Sequence, residues 1–251
     1  MRRALAGLAL LALVPNTAFA AGEGEPPKQI GWAFSGPFGT YDTAAARRGL
    51  QVYTDVCGLC HSLGFVAYRN LAEIGLTEDQ AKALAAGQQV TDGPDEAGNM
   101  FKRPAGLADR FVPPFPNENA ARFANGGALP PDLSLMTKAR KDGANYVYSL
   151  LTGFEDAPAD VQLAPGMNYN PYFRGHQIAM PPPLMDGAVT YQDGTRATVD
   201  QMARDVVEFM AWAAEPNLPS RHRIGFGVLI YLIILTGLLY AVKRRVWSDQ
   251  H

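Results

Sequence analysis

Cys57-Gly58-Leu59-Cys60-His61 gathers both cysteines of a 251-residue chain, and one of its four histidines, into five positions. A Cys-x-x-Cys pair on its own fits a redox disulfide. That chemistry normally accompanies a thioredoxin-like succession of strands, and strand patterns here are few and short. Zinc fits poorly, because a structural site takes four ligands and only three lie close together. Ahead of the motif, Thr43 to Val56 carries Ala46, Leu50 and Tyr53 at helical spacing, with Cys57 next in register. A helix running into the motif sets Cys57, Cys60 and His61 on one face, at i, i+3 and i+4. Two thiols can then bond the two vinyl groups of a single haem while the imidazole reaches its iron. The motif therefore predicts covalently bound haem c, and with no second Cys-x-x-Cys-His and no internal repeat it predicts one.

Electron transfer, unlike binding of a small molecule, calls for a sixth ligand on the iron. Met202 and Met210 share a periodic apolar stripe with Val206 and Phe209, and Met136 sits among leucines, so these three read as core. His222 and His251 lie at or beyond the apolar C-terminal run described below, and Met1 belongs to a leader. Met100, Met167, Met180, Met185 and His176 remain. Met180 stands out because Pro181, Pro182 and Pro183 follow it. Three fixed φ angles give a stiff, extended segment, which suits a weak thioether donor that must be held in place, although a methionine in such a loop can also be packing.

The two ends differ from the middle. Met1 to Ala20 opens with Arg2 and Arg3, continues with an apolar run to Val14, and closes on Ala18-Phe19-Ala20, the layout of a signal peptide cleaved after Ala20. Ile224 to Val242 is an uncharged run long enough for a hydrocarbon core of about 30 Å. The expected organisation is a signal peptide over 1–20, an exported haem c domain over 21–220, a transmembrane anchor helix over 221–242 and a cytoplasmic tail over 243–251. The exported part has 15 Lys plus Arg against 23 Asp plus Glu, a net charge of −8. Such a head disfavours nucleic acid and suits a basic protein partner.

Between the ends, caps mark several short helices. Thr77 to Gln80 is a capping box for a helix ending at Gly87, and Thr198 to Gln201 is a second, its helix closed by Pro216. Asp132 is expected to cap a helix to Arg140, and Asp142 another that ends at Gly153. Long Pro- and Gly-containing loops fill Gly87 to Asn119 and Asp156 to Thr195. Loops of that length need an organising centre, and a haem supplies one. Thr91 to Glu96 is acidic and reads as a solvated loop.

Taken in order, these segments resemble the cytochrome c1 family, the haem subunit of quinol:cytochrome c oxidoreductase. The resemblance rests on residues 47–61 (RRGLQVYTDVCGLCH), 125–134 (NGGALPPDLS), 146–153 (YVYSLLTG), 178–183 (IAMPPP), 212–216 (WAAEP) and the tail 243–247 (KRRVW). It implies a mainly α, class I cytochrome c-like domain with long loops, plus one C-terminal transmembrane helix. It also implies Met180 as sixth ligand opposite His61, with Asn125, Pro131, Arg140 and Tyr146 in the haem pocket and Arg140 facing a haem propionate. His176, just ahead of the Met180 loop, is the rival ligand. The implied partners are cytochrome b, the Rieske iron–sulfur protein and a soluble cytochrome c, with the chain a single-pass protein of a bacterial inner membrane and its haem domain in the periplasm. Its own chemistry would be one-electron transfer within that reductase, so no catalytic nucleophile or acid/base pair is expected. The alternatives are a free-standing membrane-tethered shuttle and a haem protein with an open iron.

The acidic head gives a first expected outcome. Turnover with a basic cytochrome c should slow as ionic strength rises beyond about 0.1 M, where the Debye length is roughly 10 Å. A rate that stays flat across a salt titration would remove electrostatic docking.

Overall fold

Helix α1 (Thr43–Asp55) begins where the carboxylate of Asp42 accepts hydrogen bonds from Ala44 N at 2.9 Å and Ala45 N at 3.0 Å. It packs along α6 (Val199–Ala214), and the two form the spine of the head. Their approach is closest at Gly49, where a Cβ would stand 2.0 Å from the carbonyl oxygen of Asp205. Ala46, Leu50, Val52 and Tyr53 from α1 meet Met202, Val206, Phe209 and Met210 from α6 in one buried cluster. An ion pair crosses the same seam: Arg48 Nε and Nη2 each reach the buried Asp205 carboxylate at 2.9 Å. Breaking such a pair on one side strands a buried charge.

The computed structural model describes residues 24 to 248, so the expected signal peptide and the last three residues of the tail lie outside the described residues. The remaining elements are α2 (Glu78–Ala86), β1 (Gln89–Asp92), β2 (Phe101–Pro104), α3 (Glu118–Ala124), α4 (Met136–Ala139), α5 (Gly143–Leu151), β3 (Asn168–Tyr169), β4 (Gln177–Ile178) and α7 (Leu218–Val246). The four short strands form two antiparallel pairs, β1 with β2 and β3 with β4. The head is therefore mainly helical with long connections, and one C-terminal helix is long and apolar enough to cross a membrane.

Most caps lie where the sequence placed them. Thr77 and Gln80 exchange both bonds of a capping box, and α2 stops at Gly87. At α6 only half the box forms: Thr198 accepts from Gln201 N at 3.1 Å, whereas the Gln201 amide donates to Asp205. Asp142 does sit at the N-cap of α5. Its backbone is left-handed there (φ 53°), however, and its carboxylate accepts from Asn145 and Gln29 rather than from the helix end. The helix expected from Asp132 shrinks to the single turn of α4, because the Asp132 carboxylate is engaged elsewhere. The acidic segment from Thr91 is not wholly loop. Thr91 and Asp92 belong to β1, Asp92 pairs with Arg103, and Asp95 accepts from Ala97 N and Asn99 N to close the hairpin turn.

Helix α7 follows α6 after only Glu215, Pro216 and Asn217. Its 29 residues make a rod of roughly 43 Å. It extends beyond the expected 221–242 at both ends, with Pro219 tolerated in its first turn, where amide donors have no helical partner. The junction is tied down. Glu215 pairs with Lys138 on α4 and, at 2.7 Å, with Arg221 on α7, while its carbonyl accepts from the Tyr41 hydroxyl at 2.8 Å.

Glu208 lies buried on α6, 4% exposed, with the Asp42 amide donating to its Oε1 at 2.8 Å. Burial, with the Asp42 and Asp205 carboxylates nearby, pushes its carboxyl from 4.5 up to about 7. The folded state thus holds this proton more tightly than the unfolded chain, so stability should fall as pH rises from about 4.5 to 7, by about 3 kcal/mol, and then level off. Glu208→Gln keeps an acceptor for Asp42 N and should flatten that slope in thermal melts. A variant with the parent's slope would show that Glu208 titrates normally.

Candidate functional site

The motif follows α1 without continuing it. Val56 (φ −123°, ψ −65°) breaks the α-helix, and Cys57 to Leu59 form a tighter 3₁₀ turn. The expected continuous helical face is therefore replaced by a compact turn in which the Cys57 carbonyl accepts from both Cys60 N (3.1 Å) and His61 N (2.8 Å). Those bonds keep Cys57, Cys60 and His61 within one tight turn. Both thiols are free: Cys57 is half-buried, and its burial pushes the thiol up to about 12, while Cys60 is exposed. A disulfide is therefore not formed between them.

The half-buried His61 ring is held from both directions along the chain. Its Nδ1 lies 2.7 Å from the Pro131 carbonyl oxygen. A carbonyl only accepts, so Nδ1 carries the proton and Nε2 is left with its lone pair. Burial pulls the imidazole pKa below its ordinary value and so favours the neutral, metal-binding form, while the Pro131 bond opposes that shift. The Tyr53 hydroxyl donates to the His61 carbonyl at 3.1 Å, fixing the backbone behind the ring.

Pro131 is held in place by its neighbour. The Asp132 carboxylate accepts from Ser62 Oγ (2.7 Å), Gly64 N (2.7 Å) and Ser134 N (2.8 Å), and Leu133 N donates to Ser62 O at 2.9 Å. Burial alone would raise the Asp132 pKa, but the donors from Ser134, Gly64 and Ser62 outweigh it and hold it low. Asp132 thus works as a clamp joining the segment after the motif to residues 131–134. The sequence reading took it for a helix cap. A clue to the clamp lay in Ser62 and Ser134, two small donors flanking the segments that Asp132 joins.

The other expected site residues lie on separate elements. Asn125 ends α3, a helix the sequence reading did not find, and donates its side-chain amide to Ala121 O at 2.7 Å. Arg140 follows α4, exposed, and lies against the half-buried Tyr146 of α5. Burial raises the Tyr146 pKa and the nearby guanidinium lowers it. Among the described residues none of Asn125, Arg140, Tyr146 and Met180 hydrogen-bonds to the motif.

Met180 is half-buried in the segment after β4, and Asn168 on β3 donates to its carbonyl at 3.3 Å. The other candidates separate by burial. Met202 and Met210 are buried in the core and Met136 packs against it, as expected, whereas Met100 and Met185 are 60% and 70% exposed. Met167 is half-buried and lines an open cavity of about 650 Å³ with Leu151, Tyr169, Pro182 and Leu184. His176 occupies a left-handed position (φ 61°), its carbonyl accepting from Asn170 N at 3.0 Å and its ring 6.0 Å from Tyr169. No set of three His, Cys, Asp or Glu side chains among the described residues converges to hold a bare metal ion.

Comparison with known proteins places the whole of this region in one family. Residues 32–250 match the model of the Cytochrome C1 family. Cytochrome c1 of Rhodospirillum rubrum is 44% identical over 99% of this chain and 97% of its own length. A mitochondrial cytochrome c1 heme protein of Solanum tuberosum is 53% identical over 86% of this chain and 84% of its own. Cytochrome b/c1 of Bradyrhizobium diazoefficiens is 46% identical over 98% of this chain, which spans only 39% of that longer protein. With the family model matched over most of its length, the chain belongs to the cytochrome c1 family.

Proposed function

We propose that this chain is the membrane-anchored, single-haem subunit that passes electrons one at a time from a Rieske iron–sulfur protein to a soluble cytochrome c, beside cytochrome b in a quinol:cytochrome c oxidoreductase. The family supplies the electron-transfer haem subunit of the bc1 complex. The observation that carries the reading to this chain's own residues is the His61 Nδ1 bond to Pro131, which leaves Nε2 free as a ligand in a motif whose two thiols are unpaired.

In this reading Cys57 and Cys60 would hold the haem through two thioethers, and His61 and Met180 would ligate its iron. When bound, haem c supplies a one-electron iron couple, and His/Met ligation raises its potential. The chain's own residues hold and tune it. The Pro131 carbonyl orients His61 and makes its Nε2 a better donor, an outer contact of the kind whose loss typically weakens metal binding 10- to 100-fold. Pro181 to Pro183 and the Asn168 bond restrain the Met180 backbone. Asn125, Pro131 and Tyr146 would line the pocket, and Arg140 would pair with a haem propionate. No bond-making catalysis falls to this subunit.

The proposed topology is a signal peptide over residues 1–20, an exported head on the periplasmic side of a bacterial inner membrane, and a short cytoplasmic tail. A free-standing shuttle is the second reading. The three-residue junction after α6, braced through Glu215 to Lys138, Arg221 and Tyr41, favours a fixed head over a roaming one.

Purification in mild detergent tests the assignment. The chain is expected to co-elute with b-type haem and a Rieske centre, whereas its recovery alone with full haem content would favour the shuttle. Met180→Leu is expected to abolish the Met–iron band and lower the potential sharply. An unchanged spectrum and potential would remove Met180 as ligand and leave His176 or an open iron.

A further inference from the structure

The run from Gln29 to Tyr41 contains no charged residue, although the surrounding head is acidic. Its middle forms a closed loop: Ser35 N bonds to Trp32 O at 3.1 Å, Thr40 N to Ala33 O at 3.1 Å and Gly39 N to Gly36 O at 3.3 Å. The fold-back is so tight that a Cβ on Gly39 would meet the carbonyl of Phe34 at 2.3 Å. Trp32, Phe34 and Tyr41 stack successively at its base, with centroids 5.6 Å apart in each step. The tip carries Phe38, 72% exposed.

This loop leans on the anchor helix. The Gly39 carbonyl lies 3.1 Å from Nδ1 of His222, and the Phe38 ring meets the ring of Phe226 edge-on at 5.7 Å between centroids. Phe226 is the third residue of the uncharged run that starts at Ile224, about 3 Å below its upper end along the helix. Phe38 is thus held at the level where the apolar part of the helix begins. An exposed, wholly apolar ring at that level stands where the hydrocarbon core would begin if the helix spans a bilayer.

We propose that the Ser35–Gly39 loop is a second membrane contact, with Phe38 inserted into the lipid interface beside Phe226. This rests on the reading of α7 as a membrane span. A lipid occupant is favoured over a protein one because the charge-free loop meets the helix just where its uncharged run begins, with Arg221 and Arg223 directly before that run at the level of lipid headgroups. One chain then meets the bilayer at two points, a rod and a loop at its collar. Two points fix the tilt of the head, and the Tyr41 bonds to Ala211 and Glu215 transmit that restraint to α6.

Site-directed spin labelling of the assembled complex in proteoliposomes tests this. Phe38→Cys and, as a second position in the same loop, Pro37→Cys are labelled. Leu232→Cys marks the middle of the span and Glu96→Cys the aqueous surface. The parent chain, treated identically, reports any label taken up at Cys57 or Cys60. Collision of each label with oxygen and with a water-soluble nickel chelate is measured by power saturation. The expected result is an oxygen-to-chelate accessibility ratio at Phe38→Cys several-fold above that of Glu96→Cys and below that of Leu232→Cys. A ratio equal to that of Glu96→Cys places the loop in water and overturns the proposal. Exclusion of both reagents means a protein neighbour covers Phe38, and also overturns it. If Leu232→Cys itself resembles Glu96→Cys, the membrane-span reading fails instead.

Discussion

The 2.7 Å hydrogen bond between His61 Nδ1 and the Pro131 carbonyl joins two segments 70 residues apart and decides which nitrogen of the ring is available. A single neutral hydrogen bond contributes only about 1 kcal/mol to stability. Its weight here comes from what surrounds it. Asp132 accepts three hydrogen bonds from the two segments, and Tyr53 holds the His61 carbonyl from the α1 side. Each contact leaves the next with fewer arrangements, so the imidazole is oriented by packing already in place. Under the proposed function that pre-organisation would have a clear use: a histidine ligand that stays put would let a haem iron change oxidation state with little rearrangement.

The second organising constraint is the continuity of α6 into α7. Helix α6 carries the seam with α1, whose end feeds the motif, and three residues later the same chain enters the apolar helix. Glu215 stands at that joint. Burial would raise its pKa, but Lys138 and Arg221 hold it charged and bind α4, α6 and α7 to one point. The Cys57–His61 motif is therefore linked to the long apolar helix through packed helices rather than through a flexible tether.

Much of this was legible in the sequence because its signals are local. The capping box at Thr77, the N-cap at Thr198, the helix before the motif and the uncharged run from Ile224 each depend on residues within a turn or two, and all four lie where expected. Proximity of Cys57, Cys60 and His61 was legible too, although through a 3₁₀ turn and not the anticipated α-helical face. Asp132 was misread because its partners, Ser62 and Gly64, are distant in sequence, and a carboxylate ahead of an apolar segment looks the same whether it caps a helix or clamps a loop. Helix α3 was missed since its seven residues bury only Ala121 and carry little periodicity. The β1–β2 hairpin hid inside an apparent loop because its strands are mostly exposed and lack alternation. The expectation that Met180 shares a pocket with Arg140 and Tyr146 came from family resemblance, since no local pattern relates Met180 to two residues more than 30 positions earlier in the chain.

Intact-mass spectrometry of the mature polypeptide tests the central claim most directly. The account predicts a mass raised by one haem, retained under denaturing conditions, with neither Cys57 nor Cys60 open to thiol alkylation. A polypeptide of unmodified mass with two alkylatable thiols would contradict it.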